Sequence, residues 1–511
     1  MFKPVYILLL IIIIYLVAGI ASINAISITW DEPSHFSFGM RMLKGIPERP
    51  LPEKDNSKMP VSALNALPRA AEQVLNKNLH KNDNGLTDIM HGRYITLLFS
   101  VFTILLVYKW AKELYGVNAG LFSAFLFAFC PNNQSNAVMV TTDTYAVFFL
   151  AATMYALWQY CNNKNFRNLL GFAALLALSQ LAKQSLFHLY VLAPLCIFMY
   201  VAVNKEKIRV KTAFKNILFT VLISWIVINA GFVFYQVNNR LGDFHFMSSL
   251  FKTVQGIFPA GFPVPVSASF VEGLDQAKYY DQLGGGYAYS SFGTVNMFGK
   301  TVPGSSLWYF YFVTLFFKTP VSCLIFIGWA GYYLGKRFNV RSFISNEFFL
   351  LAPVVYFLLL MSFLYKTQCG IRHIIFVYPL LYILCGSIIP ALKTKLQRGI
   401  IVLLCLLLVI GLGRYWNNYY AYTNELVFDK KNAVYWVGTG NLNINQADHY
   451  MHQYLQLHPD AKYASQTPAK GRFIISVDEY MDVWNTGEYK WLRQYRPVGQ
   501  VAYCYLLFDI K

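Results

Sequence analysis

Charged residues are scarce in this chain of 511 residues: they make up 13% of it, while 56% of the residues are hydrophobic. Soluble domains carry roughly 25% charged residues, so the composition excludes a multidomain soluble protein and indicates a chain that crosses a membrane several times. The net charge of +18 does not indicate nucleic-acid binding, because Lys and Arg lie in short breaks between apolar runs, where membrane topology is encoded.

Neither a phosphate-binding loop nor a metal-binding cysteine pattern is present. The sequence contains no GxxxxGK[ST] motif, which argues against a nucleotide-dependent reaction. Its eight cysteines are scattered, without the spacing of metal ligands or of a disulfide framework, and no repeat of 20–50 residues stands out. We expect no obligatory metal or cofactor, although Asp31, Glu32 and His35 could hold a divalent ion.

Long apolar runs, in contrast, are abundant, and eleven of them could cross roughly 30 Å of hydrocarbon. They lie near 5–27, 94–110, 117–131, 143–160, 169–183, 186–203, 216–236, 319–335, 347–365, 374–391 and 399–413. The first run has no charge and lacks a convincing cleavage site, so we expect a retained anchor. The fold class is therefore mainly α-helical and polytopic. An interfacial helix is predicted over Ser306–Lys318, because Tyr and Trp favour that depth.

Basic residues alternate between the two sides of this predicted helical bundle. One set of short breaks contains Lys109, Lys112, Lys164, Arg167, Lys205, Lys207, Arg209, Lys211, Lys215, Lys336, Arg337, Arg341, Lys393, Lys395 and Arg398. The opposite set contains only Lys183, Lys366 and Arg372. The positive-inside rule predicts a cytoplasmic N-terminus, and eleven helices then predict an external C-terminus.

Three large segments are expected on the external face. Two are loops, 28–92 and 237–304, which belong to a transmembrane domain over residues 1–413. The third is the tail, 414–511, where ADHYMHQYLQLHP resembles a helix and GRFIISV and VAYCYLLFDI resemble strands. We therefore predict a small external α/β domain at the C-terminus.

The stretch SITWDEPSHF, residues 27–36, follows the first apolar run directly. A carboxylate at a membrane surface loses part of its hydration, which raises its basicity. Of the adjacent Asp31 and Glu32, one could face a substrate while the other holds the loop. His35 would lie one helical turn from Asp31 if the segment is helical.

Several ionisable residues lie at external helix ends and are expected to face the same side as Asp31. They are Arg93, Asp143, Lys183, Lys318, Arg372 and His373. Charges at membrane depth are costly and usually face a cavity or a partner. Carboxylates and cations at a bilayer surface suit sugar transfer from a polyprenyl phosphate: cations bind the leaving phosphate, and a carboxylate accepts the proton of the attacking hydroxyl.

The ordered motifs resemble those of the C-type membrane glycosyltransferases, in the protein O-mannosyltransferase-like (family 39) branch, with aminoarabinose transferases as similar relatives. The resemblance is carried by the acidic pair after helix one and by GRYITLLFSVFTILLVYKWAKELYG, FAFCPNNQSNAVMVTTDTYAVFF, LAKQSLF, FFKTPV and GIRHIIFVYPLLY. In the tail, YTNELV keeps the Asn-Glu motif of bacterial members as Asn424-Glu425. The next motif, Asn-Leu-Asp-Trp-Gly-Gln, has drifted to NLNINQ, so Asn443 stands where relatives have an aspartate.

The resemblance implies an inverting transferase of the bacterial cytoplasmic membrane that uses a polyprenyl-phosphate-linked sugar. Asp31 is then the candidate base, and Glu32 orients the loop or pairs with a cation. The candidates for donor-phosphate contact are Arg93, Lys183, Lys318, Arg372 and, more weakly, His373. An acceptor-facing or structural role falls to His35, Asp143, Asn424, Glu425 and Gln446.

Two other functions stay open at this point: a transporter or flippase of lipid-linked sugars, and a non-catalytic or polymerase component of surface-glycan assembly. A transporter tends to bind its substrate near the bilayer midplane, whereas these charges gather at one surface. The sequence identifies neither the sugar (pentose, hexose or amino sugar) nor the acceptor, which could be a protein, a lipid or a glycan. The partners implied are the lipid donor, the bilayer and that acceptor, with no nucleic acid.

Overall fold

A computed structural model describes residues 3–49, 57–75, 86–207, 209–284, 294–303, 307–438, 440–484 and 486–511. Parts of both predicted external loops, including most of DQLGGGYAYSSFG, lie outside these residues, as does the start of the predicted interfacial helix at Ser306. The described part is mainly helical, with three small sheets. The predicted mainly α-helical class is therefore confirmed.

Eighteen of the described α-helices precede the tail. They are α1 (Pro4–Ala25), α2 (Glu32–Leu43), α3 (Ser62–Val74), α4 (Leu86–Tyr115), α5 (Val117–Ala128), α6 (Pro131–Ala137), α7 (Asp143–Asn162), α8 (Phe166–Ser179), α9 (Leu189–Asn204), α10 (Val210–Gly231), α11 (Ser249–Ile257), α12 (Ala268–Leu283), α13 (Phe310–Lys318), α14 (Val321–Lys336), α15 (Val340–Ser345), α16 (Phe348–Leu359), α17 (Tyr378–Cys385) and α18 (Lys395–Arg414). The predicted external loop over 237–304 also contains two antiparallel strand pairs, β1 (Asn239–Arg240) with β2 (Pro263–Val264) and β3 (Thr294–Met297) with β4 (Lys300–Pro303).

Several of the helices that precede the tail, which together form the helical body, could cross a membrane. Five described helices are long and apolar enough by length and composition: Pro4–Ala25, Thr87–Tyr115, Gln184–Asn204, Val210–Gly231 and Lys395–Arg414. A bent pair raises the number to six, and shorter apolar helices lie at Val117–Ala128, Phe166–Ser179, Phe348–Leu364 and Ile375–Ala391. The chain is therefore multi-pass, while the count of eleven spans stays a prediction.

Exposed apolar rows on these helices fit a hydrocarbon surrounding. On α18, Val402, Leu406 and Ile410 are 58%, 55% and 65% exposed. They follow one another four residues apart, so they form one stripe along the helix. The other side of α18 packs into the helical core through Leu404 and Leu408. Contiguous exposed apolar surface of this kind marks contact with lipid or with another protein.

Helices α13 and α14 meet at a bend of 111°. Such a break leaves carbonyl oxygens of one helix and amides of the next without partners. Asn424 and Glu425 supply them: Asn424 Nδ2 donates to the carbonyls of Phe316 (2.6 Å) and Thr319 (2.9 Å), and Glu425 Oε2 accepts from the Val321 amide at 3.1 Å. The Asn-Glu pair of the tail therefore stabilises this bend.

The tail contains α19 (Ala433–Trp436), α20 (Asp448–Leu457) and α21 (Val477–Tyr480), together with β5 (Ala461–Tyr463), β6 (Gly471–Ser476), β7 (Gly499–Val501) and β8 (Tyr505–Ile510). The strand order is β5-β6-β8-β7, with β5 parallel to β6 and the other pairs antiparallel. The tail has a hydrophobic cluster of its own around Ile474 and Phe508. The helix and both strands predicted here are present, and a domain boundary at residue 413 stays a prediction.

The drifted NLNINQ segment, residues 441–446, joins the tail to three places in the helical body. Its Gln446 carbonyl accepts from the Ser27 amide (2.8 Å), and its Ile444 carbonyl accepts from Trp30 (3.2 Å). Asn441 binds two further groups: its Oδ1 accepts from the Ile371 amide (3.0 Å), and its carbonyl accepts from Lys318 Nζ (2.7 Å). This segment therefore connects the residues after α1, the last residue of α13 and the residues before α17.

A close glycine contact fixes the last of these junctions. A Cβ on Gly370 would lie 2.0 Å from the Gly440 carbonyl oxygen, and both glycines have positive φ (75° and 71°). L-residues with a side chain rarely adopt that conformation. Only glycine therefore allows the two backbones to approach at this point.

Candidate active site

Asp31 occupies the N-cap position of α2, which begins with Glu32 and Pro33. An aspartate at this position commonly accepts hydrogen bonds from first-turn amides, but the Asp31 side chain makes no capping bond. It pairs instead with the Arg372 guanidinium, and the two side chains are 24% and 16% exposed. The segment after Asp31 is helical, and the His35 amide donates to the Asp31 carbonyl at 3.1 Å. His35 therefore lies one helical turn from Asp31, as predicted for a helical segment.

Three cation–carboxylate pairs surround one cavity of about 550 Å³. The first is Asp31 with Arg372, and the second is Asp143, the first residue of α7, with Lys183. The third pair, Lys278 with Asp281, lies on α12, with 2.9 Å between Nζ and Oδ2. Each pair comes from a different part of the chain, so the cavity is assembled by tertiary packing.

Two predicted histidines also line this cavity. His35 Nε2 lies 3.1 Å from Ser57 Oγ, while its Nδ1 is buried without a hydrogen-bond partner among the described residues. Burial and the nearby charges of Lys183 and Arg372 lower the pKa of His373 to about 3, although Asp143 opposes the shift. His373 is therefore neutral at physiological pH and contributes no positive charge to the cavity.

Replacing His373 is expected to change how stability depends on pH. In the unfolded chain a histidine titrates near pH 6.5, whereas the folded-state pKa of His373 is about 3. Below about pH 6.5 only the unfolded state binds this proton, so the His373 contribution is present above that pH and is lost as the pH falls toward 3. We expect His373→Gln to flatten the loss of stability between about pH 6.5 and 4, measured by thermal unfolding in detergent.

The control for this experiment is His245→Gln, which changes an exposed histidine and should leave the wild-type pH profile unaltered. Parallel profiles for His373→Gln and the wild type would contradict the prediction.

Glu32 and Arg93 lie outside the cavity and bind each other. Arg93 Nε and Nη2 donate to the two Glu32 oxygens at 2.7 and 2.6 Å, and both side chains are almost fully buried. Amides of Thr29 and Val140 also donate to Glu32. Burial opposes the Glu32 charge, but Arg93 and these amides hold the pKa of the carboxyl below its usual range.

Arg93 also donates hydrogen bonds to backbone carbonyls. Its guanidinium donates to the carbonyls of Ile23 (3.4 Å), Ile26 (3.2 Å) and Ser27 (2.7 Å) at the end of α1. The geometry therefore gives Glu32 and Arg93 the role of fixing the loop that carries Asp31. It favours neither a catalytic role for Glu32 nor donor-phosphate contact by Arg93.

Other predicted residues are also absent from the cavity wall. Lys318 is 1% exposed, and its Nζ donates to the carbonyls of Tyr420 (2.6 Å) and Asn441 (2.7 Å). Asn424 and Glu425 cap the bend at α13. Gln446 Nε2 donates to Asn418 Oδ1 (3.1 Å) and to the Leu442 carbonyl, and Asn443 donates to Asp478 at 3.0 Å. Lys318, Asn424 and Glu425 thus connect the tail to the body, whereas Gln446 and Asn443 bind other residues of the tail.

Two functional groups in the cavity were not predicted. One is the Lys278–Asp281 pair: Asp281 Oδ1 also accepts from the amides of Lys366 and Thr367. The other is His188, whose ring nitrogens each lie 2.9 Å from a tyrosine hydroxyl, Tyr356 and Tyr365. In the sequence KYYD, the i, i+3 spacing of Lys278 and Asp281 is a weak indication that the two side chains pair. No feature of the sequence indicates His188.

The described residues give no cluster that would hold a metal ion. Within them, no three His, Cys, Asp or Glu side chains lie close enough together for shared coordination. A requirement for a divalent ion stays untested.

Solved structures with low sequence identity resemble this chain. ArnT from Cupriavidus metallidurans, both in the apo state and bound to undecaprenyl phosphate, is 10% identical, with 98% of this chain and 97% of that chain covered and a TM-score of 0.48. The apo oligosaccharyltransferase of Archaeoglobus fulgidus is 13% identical, with a TM-score of 0.47. The match to it covers 91% of this chain and 62% of that protein.

A search of curated proteins finds no match. A match to a protein family does occur, over residues 87–230, and the family is described as dolichyl-phosphate-mannose-protein mannosyltransferase. These residues include α4 with Arg93, the start of α7 with Asp143, and Lys183. Residues 87–230 thus carry the sequence pattern of this mannosyltransferase family, and the predicted resemblance to membrane glycosyltransferases of the protein O-mannosyltransferase type is confirmed.

Proposed function

We propose that this protein is an integral membrane glycosyltransferase that moves a sugar from a polyprenyl phosphate to an acceptor hydroxyl or phosphate on the extracytoplasmic face of a bacterial cytoplasmic membrane. The observation that carries the proposal is the convergence of three cation–carboxylate pairs on one cavity. The family match over residues 87–230 supports the reaction class.

The cavity wall suits a donor with a lipid tail. Its polar side contains the three ion pairs, and its other side is formed by apolar residues that include Phe187, Leu250 and Leu364. These three side chains are 41%, 52% and 70% exposed, so the apolar side is continuous with the outer surface of the helices. A polyprenyl chain could follow this side while its phosphate stays at the polar end.

In this mechanism Asp31 is the general base. The acceptor hydroxyl transfers its proton to the Asp31 carboxylate while its oxygen attacks the anomeric carbon. The bond between that carbon and the donor phosphate oxygen breaks on the opposite face, which inverts the configuration and releases polyprenyl phosphate. Arg372 pairs with the Asp31 carboxylate and so holds it at the cavity wall.

The leaving phosphate gains negative charge in this step, and cations near it lower the barrier. Lys183, Lys278 and Arg372 are the cations in the cavity wall. Each of these cations is paired with a carboxylate. When the phosphate binds, it would replace that carboxylate as the anionic partner, so each cation would keep a negative partner. We assign donor-phosphate contact to these three, and a role in acceptor binding to Asp143 and His35.

The proposed contact of Lys278 can be tested without disturbing the fold. Asp281 keeps two backbone amides when Lys278 is changed, so Lys278→Gln should fold normally. Loss of one charge-assisted hydrogen bond costs roughly 1.5–3 kcal/mol, so the KM for the lipid-linked donor should rise about 10- to 150-fold. The measurement is sugar transfer by purified protein in liposomes, with the donor concentration varied.

The matched control is Lys252→Gln, which removes an exposed lysine from α11 in the same loop and should leave KM unchanged. Equal KM values for Lys278→Gln and wild type would remove Lys278 from the phosphate site. The same liposomes test the alternative function: movement of the labelled sugar lipid across the bilayer, with no new glycosidic bond, would favour a transporter over a transferase.

A further inference from the structure

A second cavity, of about 500 Å³, lies at the other end of the helices. Helix α7 connects the two: Asp143 lines the first cavity and Trp158 the second. Fifteen residues of α-helix at 1.5 Å each separate them by roughly 22 Å. The second cavity therefore opens toward the side that the distribution of Lys and Arg predicts to be cytoplasmic, and the proposed transfer reaction does not use it.

The wall of this second cavity contains charges of both signs. Arg337 follows the end of α14, Glu347 precedes the start of α16, and Glu113 lies near the end of α4. Among the described residues none of the three has an ion-pair partner within 4.0 Å. Neutral donors do hold the Glu113 carboxylate: the Tyr155 hydroxyl and Gln159 Nε2 donate to it, the latter at 2.8 Å. The cavity therefore offers a ligand one cation and two carboxylates that have no cation partner among the described residues.

The neutral groups of the wall add specific contacts. The Tyr115 hydroxyl donates to Glu347 Oε1 at 3.2 Å and so orients that carboxylate. The ring of Trp158 also lines the cavity, and aromatic faces attract ammonium groups. The Arg337 guanidinium lies over the ring of Tyr333, with 5.9 Å between its central carbon and the ring centroid. Ser387 Oγ is buried without a hydrogen-bond partner in the described part of the chain. Its hydroxyl remains available to a bound ligand.

We propose that this cavity binds a phosphoethanolamine group, with Arg337 on the phosphate and with Glu347 and Glu113 on the primary ammonium. A simple anion would be repelled by two carboxylates, and a simple cation by Arg337, whereas a zwitterion satisfies both. Next to the polar wall, Phe338 and Val340 are 56% and 52% exposed. An apolar rim beside a polar cavity fits the headgroup of a membrane phospholipid better than a free solute.

Lipid binding to the purified full-length protein tests this proposal. Native mass spectrometry and thermal unfolding would be recorded with phosphatidylethanolamine, phosphatidylglycerol or phosphatidylcholine, and separately with soluble glycerophosphoethanolamine. We expect at least tenfold tighter binding of phosphatidylethanolamine than of the other two lipids. Weaker binding of the soluble compound would support a lipid source, and equal binding would overturn that assignment.

Variants connect the lipid preference to this cavity. Glu347→Gln and Arg337→Gln should each reduce the preference for phosphatidylethanolamine at least tenfold. Lys336→Gln, which removes a neighbouring exposed lysine that does not line the cavity, should keep it. Equal binding of all three lipids by the wild type would overturn the proposal even if a variant failed to fold. Because sugar transfer is assayed separately, its loss or retention does not decide this outcome.

Discussion

Replacing Asp31 with Asn is expected to slow sugar transfer by orders of magnitude while leaving the protein folded and able to bind its donor. The amide has nearly the shape of the carboxylate, and its oxygen can still accept from Arg372, but it cannot take the acceptor proton. A positioned general base contributes roughly 10²–10⁴ to the rate, so transfer should fall by about that factor. The measurement is product formation with saturating lipid-linked donor.

Two comparisons separate a chemical role of Asp31 from an effect on folding or donor binding. Asp243→Asn changes an exposed aspartate in the second predicted external loop and should leave the rate unaltered. Donor affinity of Asp31→Asn should stay within about threefold of wild type, because the three cations remain in the wall. Near-normal transfer by Asp31→Asn would exclude Asp31 as the base, and Asp143 would become the next candidate.

Replacing Glu32 with Gln is expected to have a large effect of a different kind. The change leaves the Arg93 guanidinium buried opposite a neutral amide, since both side chains are almost fully inaccessible. Removing one partner of a buried ion pair costs about 3–5 kcal/mol. Thermal unfolding in detergent should therefore show a strongly lowered midpoint and a reduced yield of folded protein.

Activity per folded molecule separates this structural role from a catalytic one. We expect that value to stay within about tenfold of wild type for Glu32→Gln. Arg93→Lys should also be destabilised, because lysine cannot reproduce the bidentate contact with Glu32, and the exposed Glu488→Gln should not be. A Glu32→Gln protein with wild-type stability and no transfer would mean that Glu32 takes part in the chemistry.

The sequence predicts the composition of the cavity better than its arrangement. Asp31 and Arg372 are 341 residues apart, yet their predicted topology assigns both to external helix ends, and the structure brings them together. The same topology also accounts for four other residues of the cavity wall, because helix ends on one side of a bundle lie close together. They are Asp143, Lys183, His35 and His373. Membrane topology therefore restricts which charged residues can meet.

The orientation of adjacent side chains could not be predicted. Asp31 and Glu32 look equivalent in the sequence, but they stand at the start of a helix, where each residue turns about 100° from the last. That rotation directs Asp31 to the cavity and Glu32 into the core toward Arg93. Lys318 is a similar case, because its carbonyl partners come from the tail, more than a hundred residues later.

The missed residues Lys278 and His188 have a different cause. Lys278 lies on α12, inside a long loop that is predicted to be external, rather than at the end of an apolar run, so hydropathy gives no indication of it. His188 is recognisable only through Tyr356 and Tyr365, which lie about 170 positions away in the sequence. Contacts of this range depend on the packing of the folded chain.

The junction formed by residues 440–446 also has a consequence for biosynthesis. Ile444 lines the cavity, and Gly440 and Asn441 contact the backbone just before Arg372. Translation produces these residues last among the parts of the cavity, after every helix of the body. The wall of the cavity is therefore incomplete on a nascent chain, and it is completed only when residues 440–446 have been made and have docked on the helical body.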